Sequence, residues 1–201
     1  MVGKYNNIFG ITILNSILPL SKELNNFLSK RMTTNKFKKG SHIARSGEIC
    51  DRIHLIRKGL VRGYFNYNDN DITTWISIDN EMVTSISGFF KNEPGLENIQ
   101  CLEDTFTESL SYEDMHFALK HFKEMSELYR VLMERYYLSS EYRSFMARIP
   151  NARDRFEYFR SFSDQKVINR LPKKYLASLL NIRPETLSRL DLKYIEVYIL
   201  L

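Results

Sequence analysis

The chain is 201 residues long, 43% apolar and 13% aromatic, with a formal net charge of +5 at pH 7. That length exceeds one average domain and suits one large plus one small unit. No stretch approaches the ~20 unbroken apolar residues of a membrane span, and two cysteines, Cys50 and Cys101, are too few for a disulfide framework, a four-thiolate cluster or a paired Cys-x-x-Cys zinc site.

Both thiols are therefore expected to be reduced and buried. The first apolar stretch, Ile8 to Leu20, is interrupted by Thr12, Asn15 and Ser16 and lacks a small-residue cleavage pattern, which predicts a cytoplasmic protein without a membrane partner. Charge is unevenly spread: residues 1–142 hold 17 Lys and Arg against 18 Asp and Glu, whereas residues 143–201 hold 12 against 6. The balance moves from −1 to +6, so an anionic partner is expected at the C-terminal part.

In chain order, a short helix centred on Leu20, Leu24, Phe27 and Leu28 comes first. From Phe37 to Phe106, short alternating runs such as Arg52-Ile-His-Leu-Ile56 and Ile72-Thr-Thr-Trp-Ile76 are punctuated by Lys39-Gly40, Ser46-Gly47, Lys58-Gly59 and Asn68-Asp-Asn-Asp71. That spacing predicts an all-β sandwich or barrel. From Tyr112 to about Ile149 apolar residues recur three and four apart, which predicts a long helix with a break near Phe122. It carries two apolar stripes, one of Met125, Leu128, Tyr129, Leu132 and Tyr136, the other of Val131, Leu138, Tyr142 and Phe145. Periodicity alone fits equally a helix packed within its own chain and a seam pairing two subunits. Pro150 stops the helix, and Asp154 to Phe162 begins another.

Enzymatic and metal chemistry find no support. Glu113-x-x-His116 lacks the second pair of a di-iron site, His116 and His121 do not share a helical face, and Asp69-Asn70-Asp71 lacks the Gly and Glu of a calcium loop. There is no phosphate loop or nucleophile elbow. The four histidines, His42 and His54 included, read as structural or surface residues.

Residues 171–190 read as two short helices joined by a tight turn. Leu176, Leu180, Ile182, Leu187 and Leu190 supply facing apolar positions, and Ala177 permits a close crossing. Asn181 suits a positive-φ turn, and Pro184 the opening position of the second helix. Leucine spacing alone would fit any amphipathic hairpin; the Ala, Asn and Pro placements and the basic surroundings favour a DNA-binding helix-turn-helix. Its contact residues are expected to be Glu185, Thr186, Ser188 and Arg189 toward the groove, with Lys173, Lys174 and Arg183 toward the backbone.

Glu185-Thr-Leu-Ser-Arg189, together with Phe37-Lys-Lys-Gly40, Ser46-Gly-Glu48 and His54-Leu-Ile-Arg-Lys-Gly59-Leu-Val61, resembles the Crp/Fnr family of bacterial regulators. The resemblance implies an α+β protein. Its parts would be a cyclic-nucleotide-binding-like barrel of jelly-roll type (1–121, with the first helix), a long dimerisation helix (122–147) and a helix-turn-helix domain (148–201). It tips the helix question toward a homodimer paired through Met125, Leu128, Tyr129, Leu132 and Tyr136. Double-stranded DNA and RNA polymerase become the implied partners, with Glu185 and Arg189 reading bases. Pro184 replaces a third base-reading Arg found in many members, and the residues after Lys193-Tyr194-Ile195 leave the two-stranded wing truncated or absent.

The family's phosphate cassette would fall between Ser85 and Leu102, where Ser85, Ser87, Gly88, Glu97, Asn98 and Gln100 are the candidate effector residues. No Gly-Glu pair and no Arg occurs there, so an effector other than cyclic AMP is expected, and no fixed cofactor. The alternative reading is an effector-binding or interaction module that keeps the fold and has lost specific DNA binding.

Overall fold

The computed structural model describes residues 9–190. It opens with two helices, α1 (Phe9–Ile17) and α2 (Lys22–Arg31), where the sequence suggested one. Leu20 lies in the connection, and the Ser21 hydroxyl accepts from Leu24 N and starts α2, because a side-chain cap there satisfies an otherwise orphaned donor.

The strands that follow are β1 (Thr33–Phe37), β2 (His42–Ala44), β3 (Arg52–Lys58), β4 (Leu60–Tyr67), β5 (Asn70–Ile78), β6 (Met82–Val83), β7 (Asn98–Cys101) and β8 (Thr105–Ser111). A short helix, α3 (Ile86–Lys91), interrupts them, so the region is not purely β. They build two antiparallel sheets, β1-β8-β3-β6 and β2-β7-β4-β5. Ile56 and Val83 of the first sheet meet Val61, Ile99 and Cys101 of the second in a shared core. The β4–β5 turn places Asn68 at φ 47° and Asp69 at φ 60°, with Tyr67 opposite Asn70. This two-residue hairpin suits the right-handed twist of its strands and is the turn the Asn-Asp cluster signals. Both cysteines are free and buried.

The outer face of the first sheet is covered by α1, α2, α4 (Tyr112–His121) and α5 (Lys123–Arg148). α4 and α5 are separated at Phe122, whose φ of −124° leaves helical geometry at the expected break. One polar contact fixes α1: Glu108 on β8, 3% exposed, accepts from Phe9 N at 3.0 Å and Gly10 N at 2.7 Å. A buried carboxylate thus caps the positive end of a helix dipole. Gly10 permits this close approach, since a Cβ there would stand 2.8 Å from Met32 Cε and 2.9 Å from Glu108 Oε2 and would push those side-chain ends aside.

After Pro150 come α6 (Ala152–Phe162), α7 (Gln165–Arg170) and α8 (Lys173–Leu179), then a helical stretch over residues 184–190. Their core of Phe156, Phe159, Val167, Leu176 and Leu187 is continuous with Leu60, Ile78 and Leu102 at one end of the sheets. No helix among the described residues is long and apolar enough to cross a membrane.

His54 gives this fold a pH dependence. It is buried, its Nδ1 lies 3.0 Å from Thr107 Oγ1, and burial, aided by Arg52, pushes its pKa from 6.5 down to about 4. The unfolded chain takes up this proton near pH 6.5 and the folded chain only near 4, so stability is complete above pH 6.5 and declines as the pH falls between those values. A loss approaching about 3 kcal/mol is expected from this group. Denaturant unfolding at pH 7 and pH 4.5 should show a smaller difference in His54→Gln than in the parent; an equal difference would assign the effect elsewhere.

Candidate nucleic-acid interface and effector site

The two helices after Leu171 are joined as their sequence requires. Ile182 N donates to Ala177 O and Asn181 N to Ser178 O, both at 3.0 Å, while Asn181 adopts φ 49°. This is the double hydrogen bond of a left-handed helix terminus, which Asn tolerates best after Gly. Leu187 N and Thr186 N both donate to Arg183 O, which places Arg183 at the cap and Pro184 in the first turn. Leu176, Ala177, Leu180 and Leu187 are buried at the crossing, and Ile182 and Leu190 pack against them.

Lys173, Lys174, Arg183, Glu185, Ser188 and Arg189 are exposed, and Thr186 is half-buried. Ser188 is exposed and also bonds within its own helix. Its hydroxyl donates to Pro184 O at 3.0 Å, because Pro184 lies one turn earlier and offers its carbonyl to the serine side chain. The region of the expected wing lies outside the described residues.

Sequence reasoning missed the contact that seats α8 on the sheets. Arg62 of β4 is only 2% exposed. Its Nη1 and Nη2 donate to the Asp71 carboxylate at 3.0 and 2.7 Å, its Nε to Gln100 Oε1 at 2.9 Å, and Nη1 also to Thr73 Oγ1 at 3.2 Å. The guanidinium carbon lies 4.1 Å from the Tyr64 ring centre and 3.9 Å from that of Tyr175 on α8. Beside it, Ser178 Oγ accepts from Thr73 N at 2.9 Å. The hydrogen bond from Arg62 holds the Asp71 carboxyl below its usual range, against the opposing effect of burial. A second arginine, Arg170 on α7, binds Asp79, Glu103 and Gly59 O at 2.7 to 2.8 Å. Burial pulls the Asp79 carboxyl upward, but Arg170 and the Gly59 N–H overcome it and hold the group low.

The six candidate effector residues are engaged within the fold. Ser85 caps α3, Glu97 accepts from Trp75 Nε1 at 2.9 Å, Asn98 Oδ1 accepts from Ser46 N, and Gln100 spans Arg62 and Gly40 O. Gly88 packs against Cys50 and Gly95, and the Ser87 hydroxyl accepts from Leu96 N. Only Asn98 Nδ2 is left buried without a partner in this group. A cavity of about 390 Å³ lies instead where the β5 and β6 edges meet α1 and α5, lined by Trp75, Met82, Leu132, Tyr136 and Arg143 among others. None of the six lines it.

Part of the expected pairing stripe on the long helix is occupied within the chain itself. Met125 and Leu128 are buried in the chain's own core, Tyr129 and Leu132 pack against that core, and Tyr136 borders the cavity. The docking of α4 and α3 turns Met125, Leu128, Tyr129 and Leu132 inward, whereas Tyr136 stays 40% exposed. On the other stripe Val131 is half-buried, Leu138 is 49% and Phe145 51% accessible, and Tyr142 stacks on Phe162 of α6 at 4.6 Å. Among the described residues no group of His, Cys, Asp or Glu is arranged to hold a metal ion.

No protein-family model and no curated protein matches the chain. Solved structures do match over most of its length. A CooA variant from Carboxydothermus hydrogenoformans aligns with TM-score 0.70 and 17% identity over 92% of this chain and 84% of its own. A transcriptional regulator of the Crp/Fnr family from Eubacterium rectale aligns with TM-score 0.69 and 17% identity over 91% and 88%, and FixK2 from Bradyrhizobium japonicum with TM-score 0.69 and 14% identity over 83% and 85%. The chain therefore has the Crp/Fnr-type fold of antiparallel sheets, long helix and terminal helical bundle.

The Arg62 contact predicts a local response. Arg62→Met keeps a bulky apolar stem and removes the fork, so the Lys173–Leu179 helix should lose its anchor. Hydrogen exchange in α8 is expected to accelerate at least ~10-fold while β3 and β8 keep their protection. Unchanged α8 protection would show that the apolar contacts alone seat the helix.

Proposed function

We propose that this chain is a homodimeric DNA-binding transcription regulator of the Crp/Fnr type, organised as a sensor barrel (1–121), a long helix (122–147) and a reading domain (148–201). One observation carries the reading. Behind a left-handed Asn181 turn, a second helix buries Leu187 against α8 while leaving Glu185 and Arg189 exposed one turn apart. An exposed Arg there can grip guanine bidentately and an exposed Glu can accept from cytosine. Arg183, Lys173 and Lys174 are exposed within the segment of net charge +6, which suits contacts to phosphates. The similarity to transcription regulators gives this geometry its context.

Pairing through α5 supplies the two-fold axis that a palindromic site demands. Val131, Leu138, Tyr142 and Phe145 follow seven-, four- and three-residue steps, the pattern of a helix seam. Two such subunits would present their second helices about one duplex turn apart, ~34 Å. A small effector held between the barrel and α5 would bias this arrangement, since both meet at the cavity. RNA polymerase is the further partner of such a regulator once it sits on a promoter.

Selection of bound duplexes from a random pool should yield a palindromic site whose binding weakens steeply with salt. On that site Arg189→Ala is expected to cost about 1–3 kcal/mol and relax one base preference, whereas Lys173→Ala should weaken all sequences alike. Equal losses on every sequence for both variants would refute base reading by Arg189. Leu138→Asp combined with Phe145→Asp should convert the dimer to a monomer in light scattering at micromolar concentration, and a parent that is already monomeric there would refute the seam.

A further inference from the structure

The cavity between the β5 and β6 edges, α1 and α5 has an unequal charge lining. Its charged residues are Glu81, Arg135 and Arg143. Glu81 opens onto the cavity and keeps an exposed face, and partial desolvation by the protein packed around it raises its carboxyl. The carboxylate is nevertheless committed: it accepts from Ile78 N at 3.1 Å and from Ser77, closing the β5–β6 turn. Glu97, set behind the wall, is likewise occupied by Trp75 Nε1 and Ile86 N.

Arg143 is different. It is half-buried, its Nη1 donates to Ser139 Oγ at 2.7 Å, and its guanidinium lies 5.8 Å from the Tyr136 ring centre, but it makes no ion pair among the described residues. Burial loosens its hold on the proton, an effect that the nearby Tyr136, Glu97 and Glu81 offset only in part. An incoming carboxylate would meet the planar fork with parallel hydrogen bonds. The remaining wall is mainly apolar, with Ile13, Ile17, Leu55, Met82 and Leu132 facing the same space. At about 390 Å³ the volume falls in the ~300–1,000 Å³ range of small-molecule sites.

We infer that this cavity binds an organic carboxylate with an apolar body, its head on Arg143 and its body against α1 and the β5 and β6 edges. Binding itself stands apart from the DNA reading, while its use as a signal rests on that reading.

The sole tryptophan, Trp75, lines the cavity and reports on it directly. Decanoate titrated into the full chain should produce a saturable change in its fluorescence, and decan-1-ol, equal in length and uncharged, should bind at least ~10-fold more weakly. Arg143→Gln should remove that preference, Arg143→Lys should keep part of it, and Ser139→Phe, which fills the space, should abolish binding in equilibrium dialysis with labelled decanoate. Circular dichroism confirms that each variant is folded. The inference is overturned if decanoate gives no saturable change or if Arg143→Gln leaves the acid-to-alcohol ratio intact. It is equally overturned if the signal follows protein concentration instead of decanoate, which would mean that a second copy fills the cavity. Failure of DNA selection with decanoate binding intact would remove the regulator reading and leave the site standing.

Discussion

One buried guanidinium seats α8 on the sheets. Taking Arg62 out of water is unfavourable unless nearly every N–H finds an acceptor and the positive charge finds compensation. Asp71, Gln100 and Thr73 meet the edge of the fork, and Tyr64 and Tyr175 cover its two faces. Only a flat, delocalised cation can be served on edge and faces at once, so a lysine could not substitute. Because Tyr175 belongs to α8 and the other four partners to the sheets, the requirements of this one side chain fix where α8 lies.

Two further contacts extend that hold. Arg170 ties α7 to Asp79 and Glu103, and the core of the terminal helices runs into Leu60, Ile78 and Leu102. Barrel and terminal helices are thus coupled through these contacts. Any change that reorients Glu185 and Arg189 relative to the barrel has to break a buried cationic contact and is opposed by the corresponding free energy.

Much of this was legible in the sequence because its causes are local. The Asn68-Asp69 turn, the break at Phe122, the stop at Pro150 and the Asn181 terminus are each dictated by a few residues' backbone preferences. What escaped has causes far apart in the chain. Nothing local marks Arg62 as buried, since its partners come from β5, β7 and α8; its one signal is a place among apolar neighbours in Leu60-Val61-Arg62-Gly63, at a strand position flanked by buried residues. The long helix offered two apolar stripes, and periodicity could not say which one α3 and α4 would cover. The effector residues were placed by a resemblance in chain order, while the cavity depends on how α1 and α5 close over two sheet edges.

The Glu108 carboxylate has a consequence for where the folding unit begins. Its oxygens are satisfied by the first amides of α1, so the lead helix serves the sheet as a counter-ion as well as a cover. A shortened chain starting beyond residue 17 would retain every strand yet strand an anion against Leu55 and Met32, next to the bared wall of the cavity. The lead helix is thus part of the smallest piece expected to fold cooperatively, and attempts to isolate the barrel should keep it.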